Sequence, residues 1–400
     1  MTTRQTLVAL SLLALPLTAS AQNDKLNGKV YSDAKPVSIR NTDSLANSIS
    51  GTRRNAITRA VEKASPAVVG INVTEIREQR YYDPYQGMYN DPIFRQFFGD
   101  RGSRGPQVQK YQVQGLGSGF IISSDGYILT NDHVAGNASK IIVTTVGGKQ
   151  YDAQLIATDV VSDIALLKIN ADNLPFISLG NSEDLAVGEW AIAMGNPFGL
   201  FRTNDKPTVT VGVISNTGVN LGIEGGKNFR DMIQTDAAIS SGNSGGPLLN
   251  ANGDVIGINA TIYSTSQDNK GSGSIGLGFA IPINKVKSIL NEFKSGRKID
   301  RNIGNLGFMG QTLNDELKEY IGIKADEGVV VTNLYRNSIG ERAGLQPGDL
   351  ITAIDGERVR TFEDLQSIIA DRKVGDVVKF NVLRSEGQFT ATIKLPPNTR

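Results

Sequence analysis

The 400-residue chain contains no cysteine and only one histidine, His133. Because thiolates are absent, disulfides, iron–sulfur clusters and cysteine-based zinc sites are excluded. A single imidazole also argues against a histidine-based metal site. We therefore expect a protein whose activity needs no metal and no cofactor.

Charge of one sign is not in excess, since 41 Lys and Arg residues are balanced by 40 Asp and Glu residues and the net charge is +1. This balance gives no reason to expect a nucleic acid or an anionic membrane as a partner. The hydrophobic fraction is 39% and the charged fraction is 20%, both ordinary for a globular protein with a sizeable core. The length alone suggests two to three domains.

Long hydrophobic runs are scarce as well. The apolar stretch Leu7–Leu17 has eleven residues, whereas a membrane-spanning helix needs about 20. It follows Arg4 and precedes the small residues Ala19–Ala21, which is typical of a secretory signal peptide. We therefore expect a cleaved signal peptide over 1–21, a flexible segment over 22–52 and an exported, soluble periplasmic protein. An uncleaved membrane anchor is the alternative.

Short β-type segments fill two blocks of the chain, Ala67–Ile169 and Glu189–Ile281. They are rich in Val and Ile and are separated by Gly, Asn and Asp, as expected of strands joined by turns. Two blocks of this kind predict two antiparallel barrels. Helices are expected near Asn55–Ala64, where Pro66 ends the pattern, and over 283–295.

Residues 81–98 interrupt the first block with seven aromatic side chains and no helical or strand period. One interpretation is a surface loop with scattered aromatic residues. The other is a lid or an oligomer contact, because clustered exposed aromatic side chains usually have a partner.

Three segments carry residue types that together support nucleophilic catalysis. They are Thr130–Val134 with His133, Ser162–Leu167 with Asp163, and Gly242–Pro247 with Ser244. A serine hydroxyl is a poor nucleophile until a histidine takes its proton, and an aspartate holds that histidine in the right tautomer. His133 and Asp163 belong to the first β block and Ser244 to the second. We therefore expect a serine hydrolase site in the cleft between two barrels.

The glycines around Ser244 fit acyl transfer, in which the carbonyl oxygen of the substrate becomes negatively charged. Backbone N–H groups aimed at this oxyanion are worth about 2.7–4 kcal/mol each, and Gly242 can turn its N–H without a Cβ clash. We expect the N–H groups of Gly242 and Ser244 to form the oxyanion hole. Gly245 and Gly246 allow the backbone to pack closely behind the nucleophile.

The C-terminal quarter of the chain forms another unit. Gly328–Val331 and Ala343–Ile351 contain strands, and Thr361–Asp364 has the pattern of a capping box that opens a helix. Closing strands are expected over 376–384 and 389–395.

Together with Gly276–Pro282, the three catalytic segments resemble motifs of the HtrA (Deg) serine proteases. The resemblance implies a mainly β fold, in which a chymotrypsin-like double β-barrel protease domain over 53–296 precedes one α+β PDZ domain over 297–400. It also implies that the three residues above are the catalytic triad, that the protein is a homotrimer or a multiple of one, and that a regulatory loop covers about 76–112.

Residues of the second block argue for the specificity. Ala238 lies six residues before the nucleophile, where digestive trypsin-like enzymes carry the aspartate that selects Lys or Arg side chains. The resemblance implies that Ile239 helps to form the primary pocket, so we expect cleavage after small aliphatic residues such as Val or Ala. Asn243 replaces the aspartate on which zymogen activation depends. The resemblance implies instead an order–disorder change of the loops over 237–243 and 262–274.

In the C-terminal unit, the segment around Leu306, Gly307 and Phe308 resembles a carboxylate-binding loop. We expect its backbone N–H groups to hold the C-terminus of a peptide that adds as a strand beside the helix over 362–370. The chain ends about where this unit ends, so we expect a single PDZ domain and a trimer rather than a large cage.

The function expected from these features is that of an exported serine endopeptidase, which degrades unfolded or damaged proteins in envelope quality control. C-terminal peptides at the PDZ domain would regulate it. Two alternatives stay open. A DegS-like stress-sensor protease would cut one regulatory substrate, whereas a holdase chaperone would bind unfolded chains without needing Ser244.

Overall fold

The computed structural model describes residues 53–81, 107–196, 206–240, 242–260, 276–294, 299, 301 and 306–397. The predicted signal peptide (1–21), the N-terminal segment (22–52), the aromatic stretch beyond residue 81 and the loop over 262–274 lie outside the described residues.

The first barrel is a closed sheet of six strands preceded by a short helix. The helix begins after Asn55, whose side chain accepts a hydrogen bond from the N–H of Thr58 at 2.9 Å. It ends, as predicted, just before Pro66. The strand order around the barrel is β1-β2-β3-β6-β5-β4, and the elements in chain order are α1 (Ala56–Ala64), β1 (Val68–Tyr81), β2 (Gln107–Ile121), β3 (Tyr127–Thr130), α2 (Asp132–Ala135), β4 (Lys140–Thr145), β5 (Gln150–Asp159) and β6 (Ile164–Ile169).

Strands β1 and β2 are longer than the sequence pattern predicts. They pair from Val68 with Phe120 to Tyr81 with Gln107, so both ends of the segment expected to be a regulatory loop (76–112) are paired strands. Ile76 is 50% exposed and is therefore outside the core. Tyr111, in the partner region on β2, is also largely exposed at 44%, so these described positions do not show the alternation of a half-buried strand.

The pairing of β3 with β6 positions two of the expected catalytic residues. Thr130, the last residue of β3, pairs with Ala165 near the start of β6. The chain leaving β3 towards His133 therefore runs beside the chain that enters β6 from Asp163. Buried Leu129 and Leu167 hold the two strands in the core of this barrel.

The second barrel closes in the strand order β11-β14-β13-β12-β7-β8. A small hairpin, β9–β10, stands apart from it. Small and branched apolar side chains, among them Ala193, Ile214 and Ile256, fill one part of its core. The elements are β7 (Trp190–Gly195), β8 (Thr208–Val219), β9 (Ile223–Glu224), β10 (Lys227–Asn228), β11 (Met232–Thr235), β12 (Pro247–Leu249), β13 (Val255–Ala260), β14 (Gly278–Pro282) and the following helix α3 (Ile283–Lys294).

The C-terminal domain is a sheet with helices packed against it and a core of its own. Its path is β15-β16-β17-β19-β20, with β18 paired to β17, so β15 is an edge strand. The predicted capping box is confirmed, because Thr361 and Asp364 exchange side chain to backbone hydrogen bonds. The elements are β15 (Phe308–Thr312), α4 (Asp315–Ile321), β16 (Val329–Leu334), α5 (Ile339–Arg342), β17 (Leu350–Ile354), β18 (Glu357–Arg358), α6 (Phe362–Ala370), β19 (Val377–Arg384) and β20 (Gly387–Lys394).

Two closed barrels followed by an α+β domain confirm the predicted fold class. Among the described residues, no helix has both the length and the apolar character needed to cross a bilayer.

Candidate active site

His133 and Asp163 form a direct hydrogen-bonded pair. The Nδ1 atom of His133 lies 2.7 Å from Oδ2 of Asp163, and the backbone N–H of His133 donates to Oδ1 at 2.9 Å. The side chain of Asp163 is only 1% exposed, whereas that of His133 is 37% exposed. A proton on Nδ1 would be held by this carboxylate and would leave Nε2 as the acceptor, which is the tautomer that a general base needs.

The backbone around Asp163 is fixed in an uncommon conformation. Its φ is +57°, in the left-handed region that Asp tolerates better than most residues. The side chain of Asn131 donates to the carbonyl oxygen of Asp163 at 2.9 Å, and the N–H of Asp163 donates to the carbonyl oxygen of Val160 at 3.3 Å. These contacts turn the carboxylate towards His133.

A lysine contacts the same carboxylate from the β9–β10 hairpin. Lys227 Nζ lies 2.7 Å from Oδ1 of Asp163 and 2.9 Å from Oδ2 of Asp132. Burial by itself raises the pKa of Asp163, but the hydrogen bond and charge of His133, together with Lys227, outweigh it and lower that pKa. Burial likewise lowers the pKa of Lys227, but the two carboxylates outweigh it and raise that pKa. The Asp163 carboxylate is therefore ionised at neutral pH.

Ser244 lies in a tight turn just before β12. The N–H of Asn243 donates to the carbonyl oxygen of Ser240 at 2.9 Å, and the N–H of Gly246 donates to that of Asn243 at the same distance. The carbonyl oxygen of Ser244 accepts a hydrogen bond from the N–H of Ser118 at 2.9 Å. Because Ser118 belongs to β2, this bond attaches the serine turn of the second barrel to the first barrel.

Gly245 brings that turn against the histidine segment. Its φ is +83°, and a Cβ atom placed on it would lie 2.3 Å from both the carbonyl oxygen of Ser118 and Oγ1 of Thr130. The same atom would lie 3.2 Å from the backbone nitrogen of Asn131. Only glycine permits this approach, which places the residue after Ser244 next to the segment that leads into His133.

The Ser118 side chain forms hydrogen bonds that hold the predicted oxyanion loop, which contains Gly242. Its hydroxyl donates to the carbonyl oxygen of Gly242 at 2.6 Å and accepts from the backbone N–H of Asn196 at 2.7 Å. Sequence reasoning missed this residue, as it missed Asn131 and Lys227. A small polar residue between two glycines in an apolar strand, as at Gly117–Gly119, was the one signal available for it.

The predicted pocket residues have different environments. Ile239 is buried at 5% exposure against Ala237 and Gly278, whereas the side chain of Ala238 is exposed. The carbonyl oxygen of Ala238 accepts a hydrogen bond from the Thr210 hydroxyl at 2.7 Å. Of the two predicted pocket residues, Ile239 is therefore the one whose side chain packs in the interior.

In the C-terminal domain, the predicted carboxylate-binding segment leads into edge strand β15. Leu306 and Phe308 are buried, and the carbonyl oxygen of Gly307 accepts from the N–H of Tyr335 at 3.0 Å. Gly307 has a φ of +81° and lies so close to Ser338 that a Cβ atom would overlap that side chain. Residues 304 and 305 of the predicted motif lie outside the described part of the chain.

Within the described segments, no group of three or more His, Cys, Asp or Glu residues is placed to hold a metal ion.

Comparison with protein families identifies two regions of this chain. Residues 117–258 match the trypsin-like peptidase domain and residues 330–384 match the PDZ domain. The first region contains all three expected triad residues, and the second contains β17 and α6.

Curated relatives and solved structures agree with this assignment. A probable periplasmic serine endoprotease DegP-like from Hahella chejuensis is 39% identical over 347 residues, which cover 84% of this chain and 69% of that protein. A similar relative from Pseudomonas fluorescens is also 39% identical, over 82% of this chain and 67% of that protein. A solved structure described as HtrA-type protease AlgW with decapeptide is 36% identical with a TM-score of 0.63, covering 86% of this chain and 99% of that one. The chain therefore belongs to the HtrA-type, DegP-like serine endoproteases, with a trypsin-like peptidase domain followed by a PDZ domain.

Proposed function

We propose that this endopeptidase is exported to the periplasm, degrades unfolded or damaged proteins there, and is regulated by C-terminal peptides at its PDZ domain. The observation that carries the proposal is the 2.7 Å contact between His133 Nδ1 and Asp163 Oδ2, beside the turn that holds Ser244.

In the proposed reaction, Ser244 Oγ attacks the carbonyl carbon of the scissile peptide bond while His133 Nε2 accepts the hydroxyl proton. The developing oxyanion would be held by the N–H groups of Gly242 and Ser244. His133 then gives the proton to the leaving amine, and water hydrolyses the acyl-enzyme by the same sequence of proton transfers. Asp163 stabilises the imidazolium formed in each half. The scheme requires no metal or cofactor.

The position of the site favours unfolded substrates. Ser244 belongs to one barrel and His133 to the other, so a substrate must enter a cleft as an extended segment. Folded domains rarely offer such a segment, whereas unfolded chains offer many. The buried side chain of Ile239 supports a preference for small aliphatic residues at the cleaved position.

Contacts between the two domains support regulation through the PDZ domain. The Asn228 amide donates to the carbonyl oxygen of Ser367 at 2.8 Å and to Asp371 at 2.9 Å, and the Ser367 hydroxyl donates back to Asn228 Oδ1 at 2.6 Å. Ser367 lies on α6, the helix expected to flank a bound peptide. Asn228 directly follows Lys227 in the β9–β10 hairpin, and the Lys227 ammonium contacts Asp163. A peptide that shifts α6 would therefore act on a segment that contacts the proposed triad.

Export and assembly are further parts of the proposal. The relatives are described as periplasmic, and the N-terminal residues 1–21 have the pattern of a signal peptide. Mass spectrometry of the mature protein checks this directly. A start at Gln22 supports a soluble periplasmic enzyme, and retention of Met1 favours the anchored sensor. Sedimentation of the mature protein tests the proposed homotrimer.

The decisive experiment is degradation of an unfolded, casein-like substrate by wild type and by Ser244→Ala. We expect degradation by wild type alone. Hydrophobic peptides with a free C-terminus should accelerate it, and the same peptides with an amidated C-terminus serve as the matched control because they lack the carboxylate.

Each other outcome points to a different alternative. If neither protein degrades the substrate but both slow its aggregation, the holdase interpretation replaces this proposal. If wild type ignores unfolded substrates altogether yet reacts with a serine-directed fluorophosphonate, a dedicated substrate and the sensor interpretation are favoured.

A further inference from the structure

Lys227 occupies a position that triad chemistry alone does not explain. Its ammonium group lies between two carboxylates, 2.7 Å from Asp163 Oδ1 and 2.9 Å from Asp132 Oδ2. The side chain of Lys227 is 16% exposed, that of Asp132 7% and that of Asp163 1%. Charges this poorly solvated are costly unless their partners are well placed, so the cluster is a built feature of the site.

The contacts lock the rotation of the Asp163 carboxylate. Oδ2 faces the imidazole of His133, while Oδ1 accepts from the backbone N–H of His133 and from Lys227. Three donors on two oxygens leave a single orientation in which all are satisfied. A carboxylate held in this way keeps the imidazole in one tautomer and one plane.

The lysine also has an electrostatic cost. A positive charge next to Asp163 opposes the positive charge that His133 acquires during reaction. Asp132 offsets it, because one lysine between two aspartates leaves a net charge of −1 that the imidazolium then neutralises. Asp132 is itself anchored by a hydrogen bond from the Thr158 hydroxyl.

In the part of the chain that the structure describes, the charged groups of the neighbouring elements β5 and β9 are paired elsewhere or exposed. Asp159, at the end of β5, accepts hydrogen bonds from Arg301 Nε and Nη2 at 2.9 and 2.7 Å. Glu224, opposite Lys227 in the hairpin, is exposed. The field at His133 from its immediate neighbours is thus set by Asp163, Lys227 and Asp132.

We propose that Lys227 and Asp132 act as a pair of positioning residues for the triad. Lys227 fixes the carboxylate of Asp163, and Asp132 cancels the charge that Lys227 brings. The inference rests on the proposed function, since it assigns these roles through His133 and Asp163.

Removing the charge of Lys227 and removing the charge of Asp132 should shift the acidic limb of the pH–rate profile in opposite directions. This limb marks the pH at which His133 becomes able to act as a base. In Lys227→Met, two carboxylates near His133 favour its protonated form, so the acidic limb of the rate profile moves to higher pH. In Asp132→Asn, the uncompensated lysine disfavours protonation and the limb moves to lower pH. Each shift should be about 1 pH unit, which is the lower end of the effect of a single nearby charge. The double variant should return close to the wild-type limb.

The maximal rate of Ser244 modification should distinguish the orienting role of Lys227 from the effect of its charge on His133. We expect Lys227→Met to lower it about 10-fold or more, because Asp163 loses a donor that fixes its orientation. Lys227→Arg keeps the charge and the donor, and it should retain both the limb and most of the rate. If the substitutions affected only stability, the folded fraction would change, but the acidic limbs of Lys227→Met and Asp132→Asn would not move in opposite directions.

The experiment measures the rate of inactivation by diisopropyl fluorophosphate between about pH 4 and pH 9 for wild type, for the four variants and for Ser244→Ala as the unreactive control. This probe reacts with an activated serine and needs no knowledge of the natural substrate. Circular dichroism confirms that each variant is folded. If Lys227→Met does not fold, the proposal is judged on Asp132→Asn alone. A shift of its acidic limb to lower pH supports the proposal, and an unshifted limb overturns it.

Opposite shifts of the two single variants, with recovery in the double variant, support the proposal. Limbs that coincide with wild type overturn it. A wild-type protein that reacts no faster than Ser244→Ala refutes the proposed function itself, so the two failures are distinguishable.

Discussion

The hydroxyl of Ser118 donates a 2.6 Å hydrogen bond to the carbonyl oxygen of Gly242, across the boundary between the two barrels. The same serine accepts from the N–H of Asn196 and, through its own N–H, donates to the carbonyl oxygen of Ser244. One residue of the first barrel therefore holds the loop that precedes and includes Ser244, the proposed nucleophile. The geometry of the proposed oxyanion hole depends on a side chain that is fully buried.

Replacing Ser118 by alanine should impair both stability and catalysis. The carbonyl of Gly242 and the N–H of Asn196 lose their buried partner, and each unsatisfied group costs about 1–3 kcal/mol of the free energy of unfolding. We expect kcat to fall about 10-fold or more, since loss of one oxyanion donor costs about 10²–10³-fold. Denaturant unfolding and peptide hydrolysis measure the two effects. Ser139→Ala, which removes an exposed hydroxyl bonded to Thr74 at 2.7 Å, is the control and should change little.

Gly245 and Gly218 offer a matched test of close approach. Both have a positive φ, +83° and +69°, but no atom beyond the chain neighbours lies within 4 Å of a Cβ atom placed on Gly218. Gly218→Ala should cost about 1 kcal/mol of unfolding free energy for the backbone conformation alone. Gly245→Ala should cost a further 1–3 kcal/mol or so from overlap with Ser118 and Thr130. Equal unfolding free energies for the two variants would contradict the close packing described here.

Acid should weaken the fold through Asp163, whose folded pKa is lowered by His133 and Lys227 despite its burial. A free aspartate titrates near about 3.9. The stabilisation is therefore fully present above that pH and is lost as the pH falls through the folded pKa. The raised pKa of Lys227 acts in the other direction, since its contribution is complete below about 10.4 and is lost only above the folded value.

Denaturant unfolding of wild type and Asp163→Asn checks this window. The difference in unfolding free energy should shrink as the pH falls from about 4 towards about 3. Asp152→Asn removes a carboxylate that is 84% exposed and should leave unfolding unchanged at every pH. A difference for Asp163→Asn that grows over this acid range would show that the sign is wrong.

Asn228→Ala should loosen the docking of α6 on the hairpin. The variant loses hydrogen bonds to Ser367 and Asp371, so hydrogen exchange of the backbone over 362–371 should become faster. The response of proteolysis to added peptides should shrink as well. Asn220→Ala removes a hydrogen bond to the N–H of Asp231 near the same hairpin without touching α6. Equal exchange in the two variants would refute the docking role.

Local sequence patterns predict much of this molecule. The β-rich blocks, the helix that ends before Pro66 and the capping box at Thr361 depend on neighbouring residues, and each is found. His133 and Asp163 could be paired because their segments carry recognisable motifs. Lys227 could not, since it follows Gly225–Gly226 in a hairpin whose sequence indicates only a turn. Its role arises from contacts with residues far away in the chain, to which local periodicity is insensitive.

The division of the proposed triad between two barrels has a consequence for biosynthesis. A chain in which one barrel alone has formed carries either the base or the nucleophile, and the Ser118 bonds that join them to each other do not yet exist. The proposed hydrolytic activity therefore requires both barrels to be formed and joined through these hydrogen bonds. A nascent chain that has formed only one barrel should lack that activity.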